Sequence, residues 1–312
     1  MMRSLLARPW IWSFAAALGV WLVTVFVARG QGGAELLVAA LTFSAFTVLV
    51  SLGQMLVITA GPGNVDLSIP STIALSSAVS MLVMNGQSAM ILPGVAAAVL
   101  VGATVGACNF ALILLLRIPP IIATLSSGLI VQSIAITFGR GLKIKPPAAF
   151  FDFVTARLLG VPVLAVVAMA VAIAVALVLE RTVYGRSLSA VGQNRRAAHF
   201  GGVRVERTRG ITYVTCAALA GLAGALIAGF AGGNALDQGE EYLLLTIAVT
   251  VIGGTAVAGG RASVPGVWGA ALFMFLLVAM LNAAGAGPGL RLLLTGLIII
   301  GVITLARGDR GR

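Results

Sequence analysis

Charge is scarce in this chain. Only 9% of its 312 residues are Asp, Glu, Lys or Arg, whereas a soluble domain carries roughly a quarter, so the polar exterior that water would require is missing. Histidine is nearly absent, His199 being the single copy. The two cysteines, Cys108 and Cys216, fall in separate apolar runs with no second thiol or imidazole nearby in the sequence. Neither a zinc site nor a disulfide framework follows from that spacing, and both thiols read as small core residues. Lysine occurs only as Lys143 and Lys145, and neither belongs to a G-x-x-x-x-G-K-[ST] loop. The chain is therefore not expected to bind and cleave ATP by a P-loop of its own. No apolar run holds the several ionisable residues of a proton relay, and Asp66 alone approaches membrane depth. The clustered His, Asp or Glu of a membrane enzyme are missing too, so no catalytic, cofactor or metal residue is assigned.

What is abundant is apolar length. Sixty per cent of the residues are hydrophobic. Runs of roughly 17 residues or more, enough to cross about 30 Å of hydrocarbon at 1.5 Å per residue, recur from end to end. Charges and Gly/Pro breaks place spans at 10–28, 36–60, 67–84, 90–116, 120–138, 160–179, 211–231, 243–259, 265–284 and 289–306. The predicted fold class is all-α: a polytopic membrane protein of about ten transmembrane helices, forming one transmembrane domain over 1–312 without a separate soluble part. The first run, Trp10 to Ala28, lacks an A-x-A site and exceeds a signal-peptide core, so it is expected to stay as helix one.

The formal charge is +11, but the basic residues lie between apolar runs rather than on one face, which argues against nucleic acid as a partner. With a cytoplasmic N-terminus, 14 of the 20 Lys and Arg fall inside: Arg3, Arg8, Arg117, seven arginines in 181–210, Arg261, Arg307, Arg310 and Arg312. The positive-inside rule thus favours both termini in the cytoplasm and an even number of spans.

The longest polar stretch, Glu180 to Gly210, is cytoplasmic in this topology and reads as a docking element. Asn194 can cap a short helix from Arg195 to Phe200 that Gly201-Gly202 would end, with His199 complementing its dipole. Small Ala197 and Ala198 would let a partner surface approach closely, and Arg195 and Arg196 would pair with acidic groups there or with lipid phosphates. The plainer alternative is a basic loop that only sets topology. Two breaks interrupt apolar territory: Gly61 to Ser68, and Gly253-Gly254 through Gly259-Gly260-Arg261 to Pro265-Gly266. Interrupted helices often mark a conduction path, the alternative being a tight turn with Asp66 or Ser68 capping span three. Gly102/Gly106 and Gly224/Ala228 are small-xxx-small pairs that permit close helix packing. Asp237, Glu240 and Glu241 are expected in an outer loop, solvated or receiving a donor protein.

Between 181 and 306 the chain resembles the permease subunits of bacterial ABC importers of the ribose, xylose and galactose type, carbohydrate uptake family 2. The resemblance is carried by Thr182 to Asn194 (T-V-Y-G-R-S-L-S-A-V-G-Q-N), Ala197-Ala198, Gly201-Gly202-Val203, Ala220 to Gly224 (A-G-L-A-G), Ile247-Ala248, Val251 to Thr255 (V-I-G-G-T), Gly259-Gly260 and Gly266. Asp66-Leu67-Ser68 followed by Ala74-Leu75-Ser76 is similar to the family signature near span three. The resemblance implies a bundle of about ten helices in the bacterial inner membrane, translocating a small polar solute, with a monosaccharide or related sugar as the class indicated. It implies three partners: a second permease chain, identical or not, an ATPase that binds ATP and Mg, and a periplasmic or lipid-anchored solute-binding protein. It further implies that Gly185, Arg186, Ala190, Gly192, Asn194, Arg195, Ala197, Ala198 and Gly201 belong to an ATPase-coupling loop. Asn64, Asp66, Ser68, Gly253 and Gly254 would lie along the translocation path. The chain departs from the pattern at Gly63-Asn64-Val65-Asp66-Leu67-Ser68-Ile69-Pro70, where Gly-Gly-Ile-Asp-Leu-Ser-Val-Gly is usual, and at Leu243, where a glutamate is common. The rival reading is a secondary transporter or facilitator acting alone, which predicts solute flux without ATP.

Overall fold

The computed structural model describes residues 9–27, 32–141, 143–287, 289, 290, 293, 294, 296, 297, 300 and 301. Their helices are α1 (Pro9–Val27), α2 (Gly33–Thr59), α3 (Ile69–Met84), α4 (Ile91–Leu115), α5 (Pro120–Gly139), α6 (Ala148–Thr155), α7 (Val163–Arg181), α8 (Val183–Gln193), α9 (Arg195–Phe200), α10 (Val205–Ala231), α11 (Tyr242–Ile252) and α12 (Val264–Ala283). A single antiparallel pair, Arg157–Leu158 with Val161–Pro162, is the only sheet among the described residues. The expected span 289–306 lies largely outside the described residues, as do Arg3, Arg8, Arg307, Arg310 and Arg312 of the charge count.

Among the described residues, seven helices are long and apolar enough to cross a membrane, which agrees with a polytopic all-helical protein. Two expected spans are shorter. α3 has 16 residues and α11 has 11, so they rise about 24 and 16 Å, short of the hydrocarbon thickness. Irregular chain supplies the rest: 60–68 before α3, and 232–241 before α11. The expected span 243–259 therefore stops as a helix at Ile252, and the break begins at Gly253 as anticipated. Gly254, Gly259 and Gly260 take positive φ of 91°, 89° and 79°, conformations that side-chain-bearing residues rarely adopt.

Helix α2 is the axis of the bundle, since every residue from Ser44 to Thr59 is buried, the mark of a helix surrounded on all sides. It meets α7, α10, α11 and α12. Lipid tails are as apolar as leucine, so helices in a membrane associate through close fit, and glycine provides it here. A Cβ on Gly102 or Gly106 of α4 would stand 2.1 Å from the Ala217 carbonyl oxygen or 2.4 Å from that of Tyr213, both on α10. A Cβ on Gly224 would stand 2.5 Å from the Ile73 carbonyl oxygen of α3. Outward faces of α1, α4, α5 and α7 carry Trp12, Phe26, Leu100, Leu129, Ile130 and Ile173 exposed, as a lipid-facing surface requires.

Asp237, Glu240 and Glu241 are exposed, as expected of a solvated segment, but the chain that carries them is packed rather than free. It folds back along α3: Ser77 Oγ lies 2.8 Å from Asn234 Oδ1 and 3.0 Å from Gln238 Oε1. Farther along, a Cβ on Gly239 would be 2.1 Å from the Pro70 carbonyl oxygen at the start of α3.

Candidate functional site

The polar stretch expected as a loop is largely helical. Thr182 Oγ1 accepts from the Gly185 N–H at 3.3 Å to cap α8, and Asn194 Oδ1 accepts from the Ala197 N–H at 3.0 Å to cap α9, as the sequence suggested. The chain leaves α9 through Gly201 and then Gly202, whose φ of 81° makes it the left-handed residue. α10 begins at Val205, six residues before the expected span, and so takes Glu206 and Arg209 out of the loop.

The residues of the stretch expected to couple to an ATPase divide by exposure. Arg186, Arg195, Arg196, Ala197, His199 and Phe200 face outward, and a cavity of about 870 Å³ is lined by Arg195, Arg196, His199, Phe200, Arg204 and Glu206. Ala198 does the opposite. It is buried with Val191 and Val205, and Ala190 packs against that cluster, so the surface expected of the Ala197-Ala198 pair belongs to Ala197 alone. Gly185 and Gly192 are needed for close approach: a Cβ would fall 2.1 Å from the Leu179 carbonyl oxygen at Gly185, and 2.0 Å from that of Thr59 at Gly192.

Gly192 is the point where α8 meets both breaks. The Gly260 N–H donates to the Thr59 carbonyl at 2.9 Å. A Cβ on Gly259 would stand 2.5 Å from Gly61 Cα and 2.9 Å from the Gly192 carbonyl oxygen. Backbone touches backbone at this junction, so displacement of α8 is transmitted with little slack. Gly253 does not join the Asn64–Ser68 group directly; it packs on Gly266, where its Cβ would be 2.6 Å from the carbonyl carbon.

Asn64, Asp66 and Ser68 are all buried. Asp66 Oδ1 accepts from the Ser68 N–H at 2.9 Å and from Ser68 Oγ at 2.6 Å, while the Asp66 N–H donates to Gln54 Oε1 at 3.3 Å. Asn109 Nδ2 donates to Ser68 Oγ at 2.8 Å, and Ser127 Oγ donates to Asn109 Oδ1. The break is thereby held by α2, α4 and α5 together. Among the described residues, buried polar atoms without hydrogen-bond partners include Ser44 Oγ, Ser51 Oγ and Gln54 Nε2 of α2, Ser76 Oγ of α3, and Asp66 Oδ2 and Thr255 Oγ1 of the two breaks. Such atoms are costly inside a bundle and mark its interior as polar.

Sequence reasoning missed the residues joining these two regions. Glu206 pairs with exposed Arg195 on one side and with Arg209 on the other, at 3.0 Å. The buried Arg209 guanidinium donates to Asn64 Oδ1 at 3.3 Å, and Tyr213 OH donates to the same oxygen at 3.1 Å. Phe110 lies beneath the guanidinium, 5.9 Å from it, a cation–π distance. Tyr184 of α8 bonds Thr212 at 2.9 Å, and burial pushes its phenol up to about 12, so it stays neutral. An arginine within a span was the available signal; the late helix start assigned in the sequence hid it.

A sequence profile of the family described as branched-chain amino acid transport system, permease component, matches residues 36–303. The autoinducer 2 import system permease protein LsrC of Klebsiella pneumoniae is 31% identical over 97% of this chain and 88% of its own length. LsrD of Yersinia enterocolitica, of the same import system type, is 29% identical over 82% of this chain and 78% of its own. The ribose import permease protein RbsC of Bacillus subtilis is 29% identical over 83% and 80% respectively. No solved structure matches the chain.

Proposed function

We infer the solute class and the working partners from one premise: the chain belongs to the branched-chain amino acid transport permease family, and is the non-enzymatic, multi-pass membrane subunit of a bacterial ABC importer. The transported solute is small and polar, with a monosaccharide or related sugar as the class to test first. Relatives named for ribose and autoinducer 2 import support that choice, and so do the buried polar side chains of α2 and α3, Ser44, Ser51, Gln54 and Ser76. A separate ATPase binds ATP and Mg, a solute-binding protein delivers the ligand, and a second permease chain completes the membrane unit.

The observation that carries this reading is the junction at Gly192, where the α8–α9 pair meets both helix breaks backbone to backbone. ATP binding by the partner moves α8 and α9, and the breaks at 61–68 and 253–263 move with them, opening the cytoplasmic end of the path. Two states of the bundle, biased differently by the ATPase, are all that coupling requires. Asn64, Asp66, Ser68, Gly253 and Gly254 serve as parts of that gate.

Reconstitution tests it. Liposomes holding this chain with its ATPase, second permease chain and solute-binding protein should take up radiolabelled ribose, or the ligand of that binding protein, only when ATP is supplied. Flux through the chain alone, indifferent to ATP, would instead establish a facilitator.

A further inference from the structure

We propose that Arg209 is a positioning residue that carries the movement of the coupling helix into the Asn64–Ser68 break, through the series Arg195, Glu206, Arg209 and Asn64. The proposal rests on the permease reading above and adds a second linkage, electrostatic and made of side chains, to the backbone junction at Gly192.

Arg209 is suited to this by geometry. One guanidinium nitrogen holds Glu206 at 3.0 Å and another holds Asn64 at 3.3 Å, so a single rigid fork spans a charge at the membrane face and an amide inside the bundle. Its side chain is 7% exposed, against 38% for Glu206 and 57% for Arg195. The series therefore runs from solvent inward, and the interactions strengthen as water is excluded. A buried arginine is costly unless paired. Arg209 consequently follows Glu206, and Glu206 follows whatever displaces Arg195. At the inner end Asn64 is held by two donors, Arg209 and Tyr213, and its own Nδ2 donates to the Gly61 carbonyl at 3.1 Å. Pulling on Asn64 thus pulls on the first turn of the break. Two residues farther, Asp66 anchors Ser68, where α3 begins.

Hydrogen exchange tests the link in two settings, using Arg209→Lys, which keeps the charge but not the fork, and Asn64→Leu, which removes the acceptor. In the isolated chain, both variants should lose about tenfold protection at amides 61–68, with α12 unchanged. Equal protection in variants and wild type overturns the link whatever the ATPase does. In the assembled complex, ATP with vanadate should alter exchange at both 195–207 and 61–68 in the wild type. In Arg209→Lys the response at 195–207 should persist while that at 61–68 disappears. If both responses vanish together in the variant, or both persist, Arg209 does not transmit. A wild-type complex responding at neither segment counts against the permease reading, and the isolated chain still decides the link.

Discussion

Replacing Gly192 with alanine is the sharpest test of the junction. The new Cβ would stand 2.0 Å from the Thr59 carbonyl oxygen and 2.3 Å from the Gly260 nitrogen. Both are main-chain atoms, so no rotamer change relieves the clash, and the backbone must retreat by about 1 Å in an interior as dense as an organic crystal. Overpacking of this kind costs about 1–3 kcal/mol, and parting Gly260 from Thr59 adds about 1 kcal/mol for the hydrogen bond. Better helix propensity at position 192 returns up to about 1 kcal/mol. The net loss is therefore about 1–3 kcal/mol, measurable as a shift in an SDS unfolding titration in mixed micelles. Gly19→Ala on α1 is the control, because nothing lies within 4 Å of the added carbon, and it should be neutral or slightly stabilising. Solute taken up per ATP hydrolysed should fall in Gly192→Ala and stay constant in Gly19→Ala. Should the two variants prove equally stable and equally coupled, the backbone junction is not the transmission point.

Three further outcomes follow from the same coordinates. Ala197→Glu should weaken the ATPase response without altering stability, whereas Ala198→Glu should destabilise the α8–α9 pair, because only Ala198 is buried against Val191 and Val205; thermal unfolding beside ATPase assays separates them. Asn194→Ala removes the cap from α9 and should cost about 0.5–2 kcal/mol locally, read as faster amide exchange over 195–200. Asp66→Asn should be milder than Asp66→Ala, because Oδ2 has no hydrogen-bond partner to lose while Oδ1 accepts from Ser68 twice. The alanine variant should be less stable by about 2 kcal/mol or more, judged by chemical unfolding.

Much of the fold was legible because lipid imposes a length on apolar helices, and both Gly/Pro breaks lie where the glycines announced them. Three features were not. The packing of 232–241 against α3 was hidden because its polar residues read as a loop, and only the contacts with Ser77 and Pro70 reveal it. Ala197 and Ala198 are identical in sequence, and a helix of six residues turns one outward and one inward. Arg209 was counted as a loop charge because charges served as helix boundaries, so a charge within a helix could not be seen.

Hydropathy and glycine positions determined by themselves that this chain is a multi-pass bundle with two interrupted helices and a short capped helix between spans, because each follows from local physics: hydrocarbon thickness, the cost of exposed backbone, and cap hydrogen bonds. Only the tertiary structure decided that these parts touch. Gly61, Gly192 and Gly259 are far apart along the chain, as are Asn64 and Arg209, and their meeting depends on how α2, α8 and α10 pack. That packing joins the short helices α8 and α9 to a helix break as one connected unit.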